Sequence, residues 1–230
     1  ATEGMVLLKN EHDALPLAAG KKLALFGNSA HDIIIGGTGS GDVHEAYSVA
    51  LPQGLEDAGY TTDNILAQAY AEHIKAAKAR RPETNPFLAP PPLPELVPTV
   101  EQIDAAATAN DVGLITIGRN SGEFIDRKAE GDFYLTEAEQ TLIRTVSAAF
   151  HKAGKPVVVV LNIGGVIEVA SWRDQVDAIL LAWQPGQEAG HAMADVLSGK
   201  VNPSGKLTDT FALDLKDYPA AEDFPGVTLL

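Results

Sequence analysis

Four short apolar runs separated by helical patterns predict an α/β fold, a mostly parallel sheet sandwiched between helices. The runs are KLALFG at 22–27, VGLITIG at 112–118, VVVVLN at 157–162 and AILLAW at 178–183. Their apolar residues are continuous rather than alternating, as expected of strands buried on both faces. Strands that alternate with helices of ordinary length imply crossover connections and hence a largely parallel sheet.

In chain order, residues 1–20 read as an entry segment ahead of an α/β unit spanning 21–212, with 213–230 as a C-terminal extension or linker. ILAQAYAEHIKAAKARR at 65–81 reads as a helix whose basic end suits the negative pole of the helix dipole and needs no ligand to explain it. Half of the fourteen prolines fall in 82–98, PETNPFLAPPPLPELVP. Proline fixes φ and removes an amide donor, so this stretch is expected as an extended loop or lid, most simply a surface insertion. TVEQIDAAATAN at 99–110 and TEAEQTLIRTVSAAFHKAG at 136–154 each open with capping-box spacing, Thr99 with Gln102 and Thr136 with Glu139. In the second helix Leu142, Ile143, Val146, Ala149 and Phe150 form one apolar stripe, and Gly154 ends it. QEAGHAMADVLSGK at 187–200 reads as a further helix stopped at Gly199. Trp172, at a helix start, and Trp183, at a strand end, are expected in core packing.

The 230 residues are 45% hydrophobic, enough for a sizeable core. A formal net charge of −14, spread along the chain, repels polyanions and argues against nucleic acid as a partner. No run is long and apolar enough for a membrane span, and residues 1–17 carry neither a basic stretch nor a long apolar core, so no membrane partner is expected. The absence of cysteine removes disulfides and thiol catalysis, and the six histidines show no HExxH or HxxxH spacing, so no metal site and no cofactor are expected.

Ligands in open α/β sheets bind beyond the carboxyl ends of the strands, which directs attention to the loops there. IIIGGTGSGDVHEAY at 33–47 has glycines at 36, 37, 39 and 41, which let backbone amides approach a ligand, with Thr38, Ser40 and Asp42 as polar partners. Its GxGxG spacing is not the GxGxxG of a dinucleotide site and no Gly-Lys-Ser/Thr follows. A structural turn, a nucleotide loop and a sugar-contacting loop all remain open on these residues alone. GRNSGEFIDRKAEGDFY at 118–134 is far longer than the usual connection of about two to six residues and concentrates charge at Glu123, Asp126 and Arg127. In AWQPGQEAGHA at 182–192, Glu188 and His191 follow a strand; helix N-terminal charge is the simpler account of Glu188, pocket support the functional one. NIGGVIE at 162–168 reads as a tight strand-to-helix turn in which Asn162 can bond local backbone.

Taken in order, EGMVLLKNEHDALPL at 3–17, GGTGSGDV at 36–43, IGRNSGEFIDRK at 117–128, GDFYLTEAE at 131–139, VVVVLNIGGVIEVASW at 157–172, ILLAWQPGQEAG at 179–190 and LSGKVNPSGKL at 197–207 resemble family 3 glycoside hydrolases. The match covers nearly the whole chain and corresponds to the family's second domain, an α/β sandwich beside a (β/α)8 barrel. The resemblance implies a retaining, exo-acting β-glucosidase in which Glu123 is the general acid/base and Gly39 and Ser40 contact the sugar. Asp126 and Arg127 are then supporting residues, with Arg127 turned away from Glu123 and Asp126 as its candidate partner. Phe124 stands where the family usually has Gly, and Thr208 where a Pro is common.

Glycoside hydrolysis needs two carboxyl groups flanking the anomeric carbon, ~5 Å apart in retaining enzymes. The family's nucleophile is an aspartate in a Ser-Asp-Trp/Tyr segment of the barrel, and no such tripeptide occurs here; ASWRDQ at 170–175 is not one. The implied partners are therefore a (β/α)8 barrel, in the same protein or a companion chain, and a β-glucoside or oligosaccharide substrate. The chain alone is expected to be inactive. The rival readings are a non-catalytic carbohydrate-binding domain, which the low aromatic content of 6% disfavours, and a nucleotide-binding α/β domain.

Overall fold

A computed structural model describes residues 1–42, 44–82, 90–123 and 127–221. Six strands form one sheet in the order β1-β6-β5-β4-β2-β3, where β1 is Val6–Asn10, β2 Lys22–Phe26, β3 Thr61–Thr62, β4 Val112–Arg119, β5 Val157–Ile163 and β6 Ala178–Leu181. All neighbours run parallel except β1, which pairs antiparallel with β6. The central pair is in register from Gly113 beside Val157 to Arg119 beside Ile163. All four apolar runs are strands, and every residue of β5 is buried.

Successive residues of each central strand enter opposite layers, which is why the runs are apolar throughout. Ala24, Phe26, Ile115, Ile117, Val157, Val159, Leu161, Ile179 and Leu181 face one core layer. Helices α3 (Asn64–Arg80), α4 (Val100–Ala109) and α5 (Glu137–Lys152) cover it with Leu66, Tyr70, Ile103, Leu142 and Phe150. Leu23, Leu25, Leu114, Val158, Val160 and Leu180 face the other layer, with Ala30 of α1 (Asn28–His31), under α2 (Leu51–Asp57) and α6 (Ala189–Leu197). Both capping boxes form, at Thr99 with Gln102 and at Thr136 with Glu139. Trp172 is buried, its indole N–H donating to the carbonyl of Glu168. Trp183, just past β6, is partly buried against the same layer. Among the described residues no helix is long and apolar enough to cross a membrane.

One expectation needs correction and another refinement. Residues 1–20 are more than an entry segment: they contribute edge strand β1, and Met5, Ala14, Leu15 and Leu17 are buried in the second core layer. The second is a refinement: the proline-rich stretch is the expected extended loop, but it is tied to the core. Its described part, 90–98, has no regular structure, as proline dictates, yet Leu93 and Leu96 pack on the first core layer. Glu95 accepts the backbone N–H of Asn28 at 3.0 and 3.2 Å, and the Tyr70 hydroxyl donates to the carbonyl of Leu96 at 3.2 Å while accepting the N–H of Gly27. The segment is thus bonded across the end of β2. Residues 83–89 lie outside the described residues.

Candidate active site

The strand order defines where a ligand cleft can form. From β2 the chain passes outward to the edge strand β3 and then returns past β2 to β4, so the connections leaving β2 and β4 diverge. A crevice opens beyond the carboxyl ends of two strands whose connections part in this way. The loop after β2 carries Gly36–Asp42 and the loop after β4 carries Glu123, so the two charged and glycine-rich stretches meet at this crevice.

Backbone contacts join them. Thr38 and Gly122 form an isolated parallel bridge, and the Thr38 N–H donates to the carbonyl of Ser121 at 2.8 Å. A Cβ at position 122 would stand 1.8 Å from the Thr38 Oγ1, so only glycine admits this approach. Glu123 is exposed, and its carboxylate accepts the backbone N–H of Ser40 at 2.8 Å. Gly39, with φ +72°, lies under the same side chain: a Cβ there would come within 3.0 Å of the Glu123 carboxyl carbon. Hydrogen bonds from Ser40, hydroxyl first and backbone N–H second, hold the Glu123 carboxyl below the usual carboxylate range. In this chain Glu123 is therefore an ionised group held on the glycine loop, rather than an acid ready to donate.

Behind this contact lies a charged frame. Arg119, the last residue of β4, is buried, and its guanidinium meets Glu139 in two contacts of 2.5 and 2.8 Å. Its Nε donates to the carbonyl of Asp132 at 2.8 Å. The Asp132 carboxylate accepts Arg127 Nη1 through one oxygen and the Lys128 backbone N–H at 3.0 Å through the other. Arg127 therefore pairs with Asp132; Asp126, the partner expected for it, lies outside the described residues together with Phe124. The Arg127 guanidinium lies over Gly165, where a Cβ would stand 2.8 Å from Nη2.

Two more loops border the crevice. Ser121 Oγ donates to Gln184 Oε1 at 3.1 Å, which ties the β4 loop to the segment after β6. Asn162 is fully buried and, instead of bonding local backbone, reaches across the sheet end. It accepts the Ile34 N–H and donates to the carbonyls of Ile34 and Trp183, each at 2.8 Å. Glu188 is the N-cap residue of α6 without a capping hydrogen bond from its side chain. Its carboxylate instead accepts the Tyr47 hydroxyl and meets His191 Nδ1 at 2.6 Å, and His191 Nε2 meets Asp57 at 2.9 Å. The two flanking carboxylates, Asp57 first, raise the His191 pKa above its ordinary value.

Glu123, Gly39 and Ser40 line neither of two concavities of about 880 and 390 Å3, which lie along β1 and against the proline-rich segment. A phosphate loop would leave its amides free for an anion, whereas here a carboxylate already occupies the Ser40 N–H, which disfavours the nucleotide reading.

Known proteins resemble this chain in sequence and fold. The family model described as "Glycosyl hydrolase family 3 C-terminal domain" matches residues 5–227. The chain belongs to glycosyl hydrolase family 3. Within that family, it is 40% identical to a β-glucosidase A of Butyrivibrio fibrisolvens over 97% of this chain and 29% of the relative. The solved structure of β-glucosidase 3B from Thermotoga neapolitana in complex with α-D-glucose matches with a TM-score of 0.91 and 48% identity, over 97% of this chain and 31% of that one. An exo-α-(1->6)-L-arabinopyranosidase of Bifidobacterium breve is 30% identical over 98% of this chain and 28% of its own length. The chain thus spans under a third of the length of these family 3 relatives and corresponds to the family's C-terminal domain.

Proposed function

We propose that this chain is the acid/base half of a retaining, exo-acting β-glucosidase that hydrolyses terminal β-D-glucosyl residues. Glu123 protonates the leaving oxygen and later activates water, Gly39 and Ser40 line the sugar site, and Asp126 and Arg127 support the loop. The aspartate nucleophile comes from a (β/α)8 barrel outside these 230 residues, and no cofactor takes part. The observation that carries this reading is the contact of Glu123 with Ser40 at the crevice between β2 and β4, which joins the acid and the sugar-binding loop that the family resemblance implies.

A general acid at neutral pH needs a pKa raised well above an ordinary carboxylate. In this chain Glu123 is shifted the other way. Docking of a barrel supplies what is missing: it excludes water, brings a second carboxylate close, and lets a sugar compete for the Ser40 N–H, all of which favour the protonated form. The proposal thus requires the isolated chain to be inactive.

Turnover of aryl β-glucosides by the intact protein and by residues 1–230 tests this. The intact protein is expected to hydrolyse them and the fragment is not. Glu123→Gln in the intact protein should lower kcat/KM by about 100-fold or more for substrates with poor leaving groups and spare it for activated ones, whose kcat falls because the second step loses its base. A fully active fragment, or a Glu123→Gln protein with normal rates on poor leaving groups, would contradict the assignment.

A further inference from the structure

We propose that Asp132 is the positioning residue for Glu123, joining the two sides of the loop that carries it. The inference rests on the reading of Glu123 as the acid/base. In sequence, Arg119 precedes Glu123 and Arg127 follows it, and both guanidiniums converge on Asp132. Arg119 Nε bonds the Asp132 carbonyl at 2.8 Å and lies 3.7 Å from its Oδ1, the same oxygen that accepts Arg127. The remaining carboxylate oxygen takes the Lys128 N–H at 3.0 Å, so both oxygens are engaged.

The first end is fixed on rigid elements and the second packs against a turn. Arg119 is anchored in β4 and on Glu139 of α5, and Arg127 lies over Gly165, in the turn after β5. Asp132 itself sits in a short turn in which the N–H groups of Phe133 and Tyr134 return to Lys128 and Ala129 at 2.9 Å. By contrast, the only described bond of the Glu123 carboxylate is to the exposed Ser40. A carboxyl that must reach one glycosidic oxygen needs its loop held to within a fraction of an ångström, and misplacement by about 1 Å can cost on the order of 100-fold in rate.

The test uses the intact protein with Asp132→Asn, which removes the charge and one acceptor, and Gly165→Ala, which pushes the Arg127 guanidinium away while leaving Asp132 in place. Each is assayed with 2,4-dinitrophenyl β-D-glucoside, which needs no protonation of its leaving group, and with methyl β-D-glucoside, which does. The expected result is a fall of roughly 10- to 100-fold in kcat/KM for the alkyl glucoside and less than about 3-fold for the dinitrophenyl glucoside in both variants. A merely structural role lowers both substrates in parallel with the folded fraction, and that outcome, like no change in either, overturns the proposal. Glu123→Ala serves as the reference. If it shows no dependence on the leaving group, the acid/base reading itself fails; if it does while Asp132→Asn and Gly165→Ala do not, only the positioning role is lost.

Discussion

Arg119 and Glu139 form a buried, two-point ion pair between the last residue of β4 and the first turn of α5, with contacts of 2.5 and 2.8 Å. The same glutamate closes the capping box of α5: its Oε2 accepts the Thr136 N–H at 2.8 Å and hydroxyl at 2.9 Å. One carboxylate thus completes a helix start and neutralises the guanidinium at the base of the Glu123 loop. Removing a single partner leaves a buried charge without compensation, which typically costs about 3–5 kcal/mol. Arg119→Met and Glu139→Gln are each expected to lower the unfolding free energy from urea melts by that order. The double variant should lose less than the sum of the two, because neither charge is then stranded.

Near this pair, Glu95 meets the opposite fate. Burial, reinforced by the nearby Glu139 carboxylate, raises its pKa to about 8, against the opposing hydrogen bonds from Asn28 and Leu96 and the charge of Arg119. In the unfolded chain it ionises at about 4.3. Between these values the folded state carries the extra proton, so its stabilising contribution is complete below the unfolded value and is lost as pH rises toward about 8. The expected slope approaches ~1.4 kcal/mol per pH unit. Glu95→Gln keeps a hydrogen-bond acceptor and removes the titration, so its stability relative to the parent should rise steadily from pH 5 to pH 8 in denaturant melts. A constant difference across that range would contradict the protonated assignment.

Continuity of apolar residues in four runs was enough to reveal β2, β4, β5 and β6, because strands covered on both faces leave no polar alternation. β1 and β3 escaped for the opposite reason. VLLKN at 6–10 is a partly exposed edge strand containing Lys9 and Asn10, and β3 is only Thr61–Thr62. The capping boxes at Thr99 and Thr136 were legible from spacing alone, since their partners are three residues apart. Arg119–Glu139, Arg127–Asp132, Asn162–Ile34 and Glu95–Asn28 were not, since each joins residues that only the fold or the loop path brings together. Glu123, Gly39 and Ser40 stood out through the family resemblance. That Glu123 rests on the Ser40 N–H depends on the topological switch between β2 and β4, which no local pattern encodes.

This contact also makes a kinetic prediction. Ser40 holds Glu123 below the ordinary carboxylate range, and its hydroxyl is the largest contributor. Ser40→Ala leaves the backbone N–H and removes that hydroxyl, so the Glu123 pKa should rise. A general acid works only while protonated, and the alkaline limb of the kcat/KM profile reports its pKa in the free enzyme. In the intact protein that limb should move to higher pH in Ser40→Ala. A limb that stays in place, or moves toward acid, would show that Ser40 does not govern the proton on Glu123.

Thr38 and Gly122 provide the most stringent check on how the two loops meet. A methyl group at position 122 would sit 1.8 Å from Thr38 Oγ1 and 3.0 Å from its Cβ, far inside van der Waals contact. Turning the Thr38 side chain moves Oγ1 away, but its Cβ at 3.0 Å and its N at 3.2 Å stay too close, so with the Thr38 N–H bonded to Ser121 the loops must still shift apart. Gly122→Ala is therefore expected to reduce turnover of alkyl glucosides by about 100-fold through displacement of the neighbouring Glu123. It should have little effect on stability, since both loops lie at the rim of the sheet. Thr38→Gly removes both obstructing atoms while keeping the backbone bridge. The double variant should recover most of the lost rate, and Thr38→Gly alone should show only a small loss. If the double variant stays as slow as Gly122→Ala, the defect lies in the conformation of the β4 loop itself and not in its fit against the glycine loop.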